Sequence, residues 1–471
     1  MAFTFKGGTH VREYKKTRGQ AIRKMSAPST VAIPMSQHIG LQCKPVVAPG
    51  DHVDYAQLIG DVSGGLGCPV HASVSGTVKS IEQRYSANGQ SVATVVIEND
   101  GLYTLCPDVR PWPKSLAETT PEEIVEIIRK AGISGMGGAT FPTHAKLRSA
   151  IGRVDTLIIN CAECEPFITA NHRVMLERPE EVIGGTEILM HALSLRTAKI
   201  GVEDNKADAI EVLRAHAVPG IEICELKTKY PQGDERQLIY ALTGKELPAG
   251  KLPSDLRAVI FNAETVAAVW HAFYHGMPLC KRVVTVDGDC VAHPSNVLVH
   301  IGTSYRDLIA FCGGFSRTPA KIINGGPMMG FAQWDLSGPV TKGTSAILVF
   351  SQEFSHEGQS TLPPTCIRCG RCVAHCPMRL MPNMLVGFSM RHNYDEAAAY
   401  HVMSCVECGT CSYNCPGDMP IVQYIRVAKG ALRAAKAAAE RKTAERSVDL
   451  KLNEKKEENK CLFLKKKTAW N

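Results

Sequence analysis

The chain has 471 residues, 44% hydrophobic and 21% charged, a globular mix that excludes wholesale disorder, collagen and coiled coil and suits about three domains. Its 18 cysteines follow no signal-peptide pattern, and no apolar run approaches the ~18–20 residues of a membrane helix, so reduced, partly metal-bound cysteines are expected rather than a secreted disulfide scaffold. Net charge is +7, but residues 421–471 hold 14 Lys/Arg against 6 Asp/Glu, so the tail carries +8 and the body −1. A basic tail suits anionic lipid, nucleic acid or an acidic protein, and equally a solvated helix with a frayed end.

Residues 1–24 read as a polar, basic arm (Lys6, Arg12, Lys15, Lys16, Arg18, Arg23, Lys24). From Val31 to Glu98, short apolar runs broken by turns predict a small all-β unit. The stretch Pro69–Val78 is similar to the hairpin of biotinyl- and lipoyl-type sandwiches, but its tip, Ser73-Val74-Ser75, lacks the lysine such carriers modify. A structural barrel-sandwich hybrid is expected over 1–112, ending at the Pro-rich joint Pro107–Pro113.

The texture then changes to alternating helices and buried strands. Pro121–Ala131 carries helix punctuation, with Pro121 at its start and Gly132 past its end. Val154–Asn160 and Thr197–Val202 read as strands with a helix at Pro179–Leu195 between them, which predicts a three-layer α/β domain over 113–268. Next, Lys281–Val286 and Val297–Ile301 flank an Asp287-Gly288 turn, and Tyr305–Cys312 reads as a helix, giving a β-grasp α+β module over 269–350. A polar linker is expected at 351–364, a two-cluster α-helical domain at 365–425 and a basic helical or disordered tail at 426–471.

Inside the α/β region lies Gly132-Ile-Ser-Gly135-Met-Gly137-Gly138-Ala-Thr-Phe141-Pro142-Thr143. Glycines let backbone amides approach a phosphate closely, because no Cβ intervenes. Lys146 adds a nearby cation. The loop follows a helix rather than a first strand, unlike a dinucleotide fingerprint, and a plain glycine turn is the alternative reading. Cys161-x2-Cys164 has the spacing of a redox dithiol without its usual context, so buried or loop thiols are expected there.

Near the C-terminus, Cys366-x2-Cys369-x2-Cys372-x3-Cys376-Pro377 is followed by Cys405-x2-Cys408-x2-Cys411-x3-Cys415-Pro416. This is the bacterial [4Fe–4S] run, twice. Three closely spaced thiolates wrap one face of a cubane, and the fourth, ahead of its proline, is directed to the other cluster. Ligation is therefore expected to cross over: Cys366, Cys369, Cys372 and Cys415 on one cluster, Cys405, Cys408, Cys411 and Cys376 on the other. Structural zinc pairs two CxxC knuckles and leaves this doubled quartet unexplained. The 28 residues between Cys376 and Cys405 hold a plausible helix near Asp395–Met403.

The glycine loop resembles the FMN/NADH loop of the flavoprotein subunit of respiratory complex I. The likeness continues in order through Asn160-Cys-Ala-Glu163-Cys-Glu165-Pro166, Tyr230-Pro-Gln-Gly233-Asp234-Glu235 and Asn262-Ala-Glu264-Thr265. Ala162, Asp234 and Phe261 depart from that pattern. The whole combination of modules, with Pro34-Met-Ser-Gln37-His38-Ile39-Gly40, Gly201-Val-Glu-Asp204-Asn205-Lys206 and Gly325-Gly326-Pro327-Met328-Met329-Gly330, resembles the C-type subunit of the Rnf (Rsx) electron-transport complexes over about residues 3–430.

That resemblance implies a peripheral subunit on the cytoplasmic face of the inner membrane, exchanging electrons between NAD(H) and ferredoxin in an ion-translocating complex. It implies non-covalent FMN and two [4Fe–4S] clusters as cofactors, with membrane-embedded and ferredoxin-like subunits as partners, ferredoxin indirectly, and no nucleic acid. Gly135, Gly137, Gly138 and Lys146 would cradle FMN phosphate, and Asn160, Glu163 and Glu165 would line the flavin and nicotinamide site, the two glutamates as catalytic groups. Gly233, Asp234, Glu235, Asn262 and Thr265 would close it. The loop Asn324-Gly-Gly-Pro327 carries no obvious chemistry, so packing is expected there. Rival readings are the NADH dehydrogenase module of a soluble hydrogenase or formate dehydrogenase, and an electron carrier with a dead flavin pocket.

Overall fold

Four parallel strands organise the centre of the molecule: β1 (Thr156–Cys161), β2 (Ala198–Glu203), β3 (Ile221–Leu226) and β4 (Ala258–Asn262), in the spatial order β3-β2-β1-β4. They form because every second side chain finds an apolar neighbour on one of two faces. Leu157 and Ile159 with Val259 and Phe261 pack into one core, Ile158 with Ala258 and Ile260 into the other. Helices α1 (Pro121–Lys130), α2 (Thr143–Ala150), α3 (Ala170–Glu177), α4 (Pro179–Ala192), α5 (Ala207–His216), α6 (Glu235–Thr243) and α7 (Ala263–His275) complete the α/β domain, with α6 on the second face. The expected three-layer domain is present. Its boundary at 268 is a correction, because α7 runs through that point and ends at Gly276 in the left-handed conformation (φ +66°), which glycine adopts without strain. A Cβ there would also lie 2.1 Å from the Arg110 carbonyl oxygen.

The computed structural model describes residues 2–62, 64–355 and 363–443. They divide into two compact units, 1–359 and 360–471. Residues 356–362 of the expected linker and the tail beyond 443 lie outside the described residues. No described helix is long and apolar enough to cross a membrane.

In the first unit, the barrel-sandwich pairs a four-stranded antiparallel sheet (Thr30–Pro34, Ser91–Asn99, Gly76–Tyr85, His52–Val53) with a three-stranded one (Lys44–Pro45, Leu58–Asp61, Val70–His71). Val31, Ile33, Ile59, Val70, Val78, Val95 and Ile97 are buried between them. The hairpin tip Ser73-Val74-Ser75 is fully buried, and Ser73 Oγ donates to the Ile301 carbonyl at 2.5 Å. A tip fastened to the next module cannot swing, as its missing lysine already indicates.

The β-grasp module is a six-stranded sheet around the helix Tyr305–Phe311, with Val284, Val299, Leu308, Ile309 and Val349 in its core. The N-terminal arm reaches beyond the sandwich that follows it. It leaves the sandwich and straps the other modules: Phe3 bridges Leu226, Thr9 bridges Tyr230, and Arg23–Lys24 adds an edge strand beside Ser295–His300.

In the second unit, Arg371–Ala374 and Thr410–Tyr413 are equivalent short helices, 39 positions apart like the cysteine motifs. Left-handed residues recur at the same spacing: Arg368 and Glu407, Gly370 and Gly409, Arg379 and Asp418. The expected helix Asp395–Met403 is Tyr394–Ala399 followed by a 3-10 turn Val402–Ser404, preceded by an unexpected helix Pro382–Met390. Residues 421–443 are helical. The expected boundary at 425 falls inside this helix, whose Ile425 and Ala428 are buried with Leu385 and Val402 and whose Lys429 donates to Glu407 at 2.5 Å. The helix to about Lys429 is therefore part of the two-cluster domain.

Candidate functional site

Two cavities lie in the second unit. One is lined by Cys376, Cys405, Cys408 and Cys411, with Pro377, Leu380 and Val422. The other is lined by Cys366, Cys369, Cys372 and Cys415, with Ile367, Val386 and Ile421. The fourth cysteine of each motif thus sits with the first three of the other, because the two repeats pack face to face. No three His, Cys, Asp or Glu side chains among the described residues gather tightly enough to hold a single ion; each quartet rings a cavity, an arrangement suited to a polynuclear cluster bonded at its corners. The sites differ in exposure. Cys366 and Cys369 are exposed, whereas Cys408 and Cys411 are buried.

The second site lies at the carboxyl edge of the parallel sheet. Strand order reverses between β1 and β4, and the crevice at such a switch point is where open α/β sheets bind ligands. Asn160 and Asn262 stand in register across it. Asn262 caps α7 by accepting from Glu264 N at 3.0 Å, and Asn160 Nδ2 donates to the Gly233 carbonyl at 2.8 Å. The glycine loop arches over the β4 side. It is pinched by Gly135 N donating to Phe141 O at 2.9 Å, and anchored by Met136 N donating to Thr265 Oγ1 at 2.9 Å. A Cβ on Gly137 would come within 2.7 Å of Asn262 Nδ2, while one on Gly138 would meet nothing within 4 Å. Gly138 is therefore open backbone at the crevice.

Lys146, expected beside a phosphate, pairs with Glu235 at 2.5 Å, with its ammonium 5.6 Å from the Phe261 ring centre. Asp234 caps α6, accepting from Arg236 N and Gln237 N at 3.0 and 3.2 Å, and burial raises its pKa. The Glu163 carboxylate accepts from Asn171 N and His172 N at 2.7 and 3.1 Å and so caps the start of α3. Glu165 instead reaches the loop expected to serve packing alone: Oε2 accepts from Met328 N at 3.1 Å and Oε1 from Met329 N at 3.0 Å. Burial pushes this carboxyl up to about 7, opposed by those two amides and by Lys15.

Two lysines given no role in the sequence hold the acidic loop from behind. Lys15 Nζ donates to the carbonyls of Glu163, Glu165 and Ile168 at 2.9, 3.0 and 2.6 Å. Lys206 is fully buried, donating to Ala162 O at 2.9 Å and pairing with Glu203 at 2.8 Å. Burial lowers the pKa of Lys15; burial is also the largest influence on Lys206 and opposes its charge, but Glu203 and Glu163 together outweigh it, so that pKa is raised. Only the motif ending in Lys206 marked either position, since an arm lysine looks solvated until the arm is seen to fold back. Cys161 is buried and Cys164 Sγ accepts from Gly233 N at 3.4 Å; burial raises both thiols, as suits packing rather than a reactive dithiol.

The residues fit the groups their patterns suggest. The doubled quartets supply eight thiols around two cavities. Open backbone lies at Gly138 in the crevice, and Gln232, the residue before Gly233, is fully buried with neither side-chain amide atom hydrogen-bonded among the described residues.

A flavin-type α/β domain joined to a sandwich, a β-grasp module and a two-cluster unit defines a flavin and iron–sulfur electron-transfer protein. The family models that match are the RnfC barrel sandwich hybrid domain (residues 3–102), the Nuo51 FMN-binding domain (128–271), the SLBB domain (283–332) and the 4Fe–4S dicluster domain (365–419). The chain is 43% identical to the C-type subunit of the Na(+)-translocating ferredoxin:NAD(+) oxidoreductase complex of Acetobacterium woodii, over 90% of this chain and 96% of that one. It is 44% identical to the proton-translocating counterpart of Clostridium ljungdahlii, over 92% and 95%. Against the C-type subunit of the ion-translocating oxidoreductase complex of Edwardsiella ictaluri it is 40% identical, over 93% of this chain and 55% of that one. A solved NAD+-reducing [NiFe]-hydrogenase is similar with a TM-score of 0.49 and 18% identity, over 70% of this chain and 68% of that one. The chain belongs to the RnfC family, the C-type subunits of ion-translocating ferredoxin:NAD(+) oxidoreductase complexes.

Proposed function

We propose that this subunit exchanges electrons between NAD(H) and two [4Fe–4S] clusters, as a peripheral component on the cytoplasmic face of a membrane complex. One observation carries the reading: a glycine-loop crevice at a sheet switch point and two cysteine quartets occur in one chain. FMN, when bound, supplies the exchange between a hydride and single electrons.

The chain's own residues do the positioning. Gly137 and Gly138 present backbone amides to a phosphate in a loop that Gly135 pinches shut through Phe141, and Lys146 supplies a cation once it exchanges Glu235 for that anion. Asn160, Gly233, Asp234, Asn262 and Thr265 shape the crevice. Glu165 orients the nicotinamide amide, while Glu163 serves by holding α3. Cys366, Cys369, Cys372 and Cys415 hold one cluster; Cys376, Cys405, Cys408 and Cys411 hold the other. The exposure of Cys366 and Cys369 supports the first as the exchange point with membrane-embedded and ferredoxin-like partner subunits, because electron transfer to a partner favours a cluster near the surface.

The test is to measure FMN content in the isolated protein and follow cluster absorbance on adding NADH. Bound flavin and NADH-driven bleaching are expected. Clusters without flavin and without bleaching would reduce the protein to an electron carrier and overturn the reading.

A further inference from the structure

We propose that the turn at residues 326–330 of the β-grasp module is the positioning element of the nucleotide site, holding the Glu165 carboxylate in the orientation that the nicotinamide meets. This rests on the reading of Glu165 given above and adds the device that aims it.

The two residues lie in different modules, and nothing in the α/β domain itself fixes this side chain. The Glu165 backbone is pinned from the arm, where Lys15 Nζ donates to its carbonyl at 3.0 Å. Its side chain is pinned from the β-grasp turn, where each oxygen accepts one backbone N–H, from Met328 and from Met329. A carboxylate held at both oxygens loses its rotational freedom before substrate arrives, yet each oxygen keeps a lone pair for a further donor.

The turn is built to admit the carboxylate. A Cβ on Gly326 would lie 2.2 Å from Glu165 Oε2 and 2.3 Å from Cδ. Any side chain there evicts the acid. Gly330 N closes the turn by donating to the Gly326 carbonyl at 2.8 Å, and a Cβ on Gly330 would strike that same oxygen at 2.5 Å. Gly325 enters the turn at φ +96°, a conformation that favours glycine. One glycine and two amides thus converge on one acid, in a turn whose shape two further glycines set.

The experiment uses the full chain with its flavin and clusters, and reads NADH-driven flavin reduction by stopped flow in four proteins: wild type, Gly326→Ala, Glu165→Ala and the double variant. Gly326→Ala is expected to slow reduction at saturating NADH about tenfold, the scale of losing hydrogen bonds to a charged group. KM for NADH should stay within about twofold, since the loss falls on orientation rather than on uniform binding. In the Glu165→Ala background, Gly326→Ala should add nothing, because its effect passes through that side chain. If Gly326→Ala is silent while Glu165→Ala is slow, the positioning role is wrong and the role of Glu165 stands. If both are silent, the reading of Glu165 has failed and the proposal goes with it. Equal losses in both backgrounds would assign the turn a merely structural task and also overturn it. Should Gly326→Ala lose flavin or iron, Met329→Pro deletes one donor without an atom beside Gly326, and the same outcomes decide.

Discussion

Asn160 and Asn262 face one another in register at the carboxyl ends of two adjacent parallel strands. Each holds a different loop in place: Asn160 the Gly233 segment, Asn262 the start of α7, over which Gly137 packs. The crevice between them is therefore set by paired strand ends of the central sheet. Residues about 100 positions apart become one site because the strand order reverses there.

Cluster ligation should cross between the motifs. Cys376→Ala should damage the cluster held by Cys405, Cys408 and Cys411 and spare the one beside its sequence neighbours. Iron counting and EPR on that variant decide it; a loss confined to the Cys366 quartet would sink the assignment.

Glu165 should give NADH-driven reduction a pH dependence. Burial holds its carboxyl at about 7, above its ordinary 4.5, against the opposing pull of Lys15 and the amides of Met328 and Met329. If the anion is the working form, the rate rises with pH through about 7, and Glu165→Gln flattens that step with both clusters still assembled. Stability moves the other way. A raised folded pKa means the native state binds a proton the unfolded chain has lost, so this contribution is full below 4.5 and is lost as pH rises through about 7. Denaturation of wild type and Glu165→Gln across that window measures it.

Lys206→Met should be severe. It strips the partner from Glu203, buried at 1% exposure, and an uncompensated buried charge costs about 3–5 kcal/mol. Adding Glu203→Leu should recover most of the loss, as denaturant melts of the single and double variants would report. Full stability in Lys206→Met would contradict the pairing.

Docking to partner subunits should outweigh the basic tail as the membrane anchor. Residues 433–443 are exposed, and the tail lysines Lys455, Lys456 and Lys465–Lys467 lie outside the described residues. Each cation near an anionic leaflet is worth about 1 kcal/mol and fades with salt. A chain ending at Gly430 should still sediment with membranes that contain the partner subunits, and be released from membranes lacking them. Release from complete membranes by truncation alone would reverse the ranking.

The cysteine spacing, the glycine loop and the order of modules were legible in the amino-acid sequence because each is a local pattern. Cluster ligation needs thiols at fixed short intervals, close approach to phosphate needs missing Cβ atoms, and the helix and strand periods follow from backbone geometry. Even the gathering of Cys376 with the Cys405 motif and of Cys415 with the Cys366 motif was readable from the prolines that follow them. What the sequence could not decide is which polar side chains face which loop. Lys15 looked like one solvated cation in a basic arm, Glu163 and Glu165 looked like equivalent acids, and Gly326 looked like packing. Tertiary folding separates them: the arm returns to bury Lys15 against three carbonyls, α3 presents its amides to Glu163, and the β-grasp turn takes Glu165. These are contacts across up to 164 positions, set by how the modules pack. No local propensity encodes them.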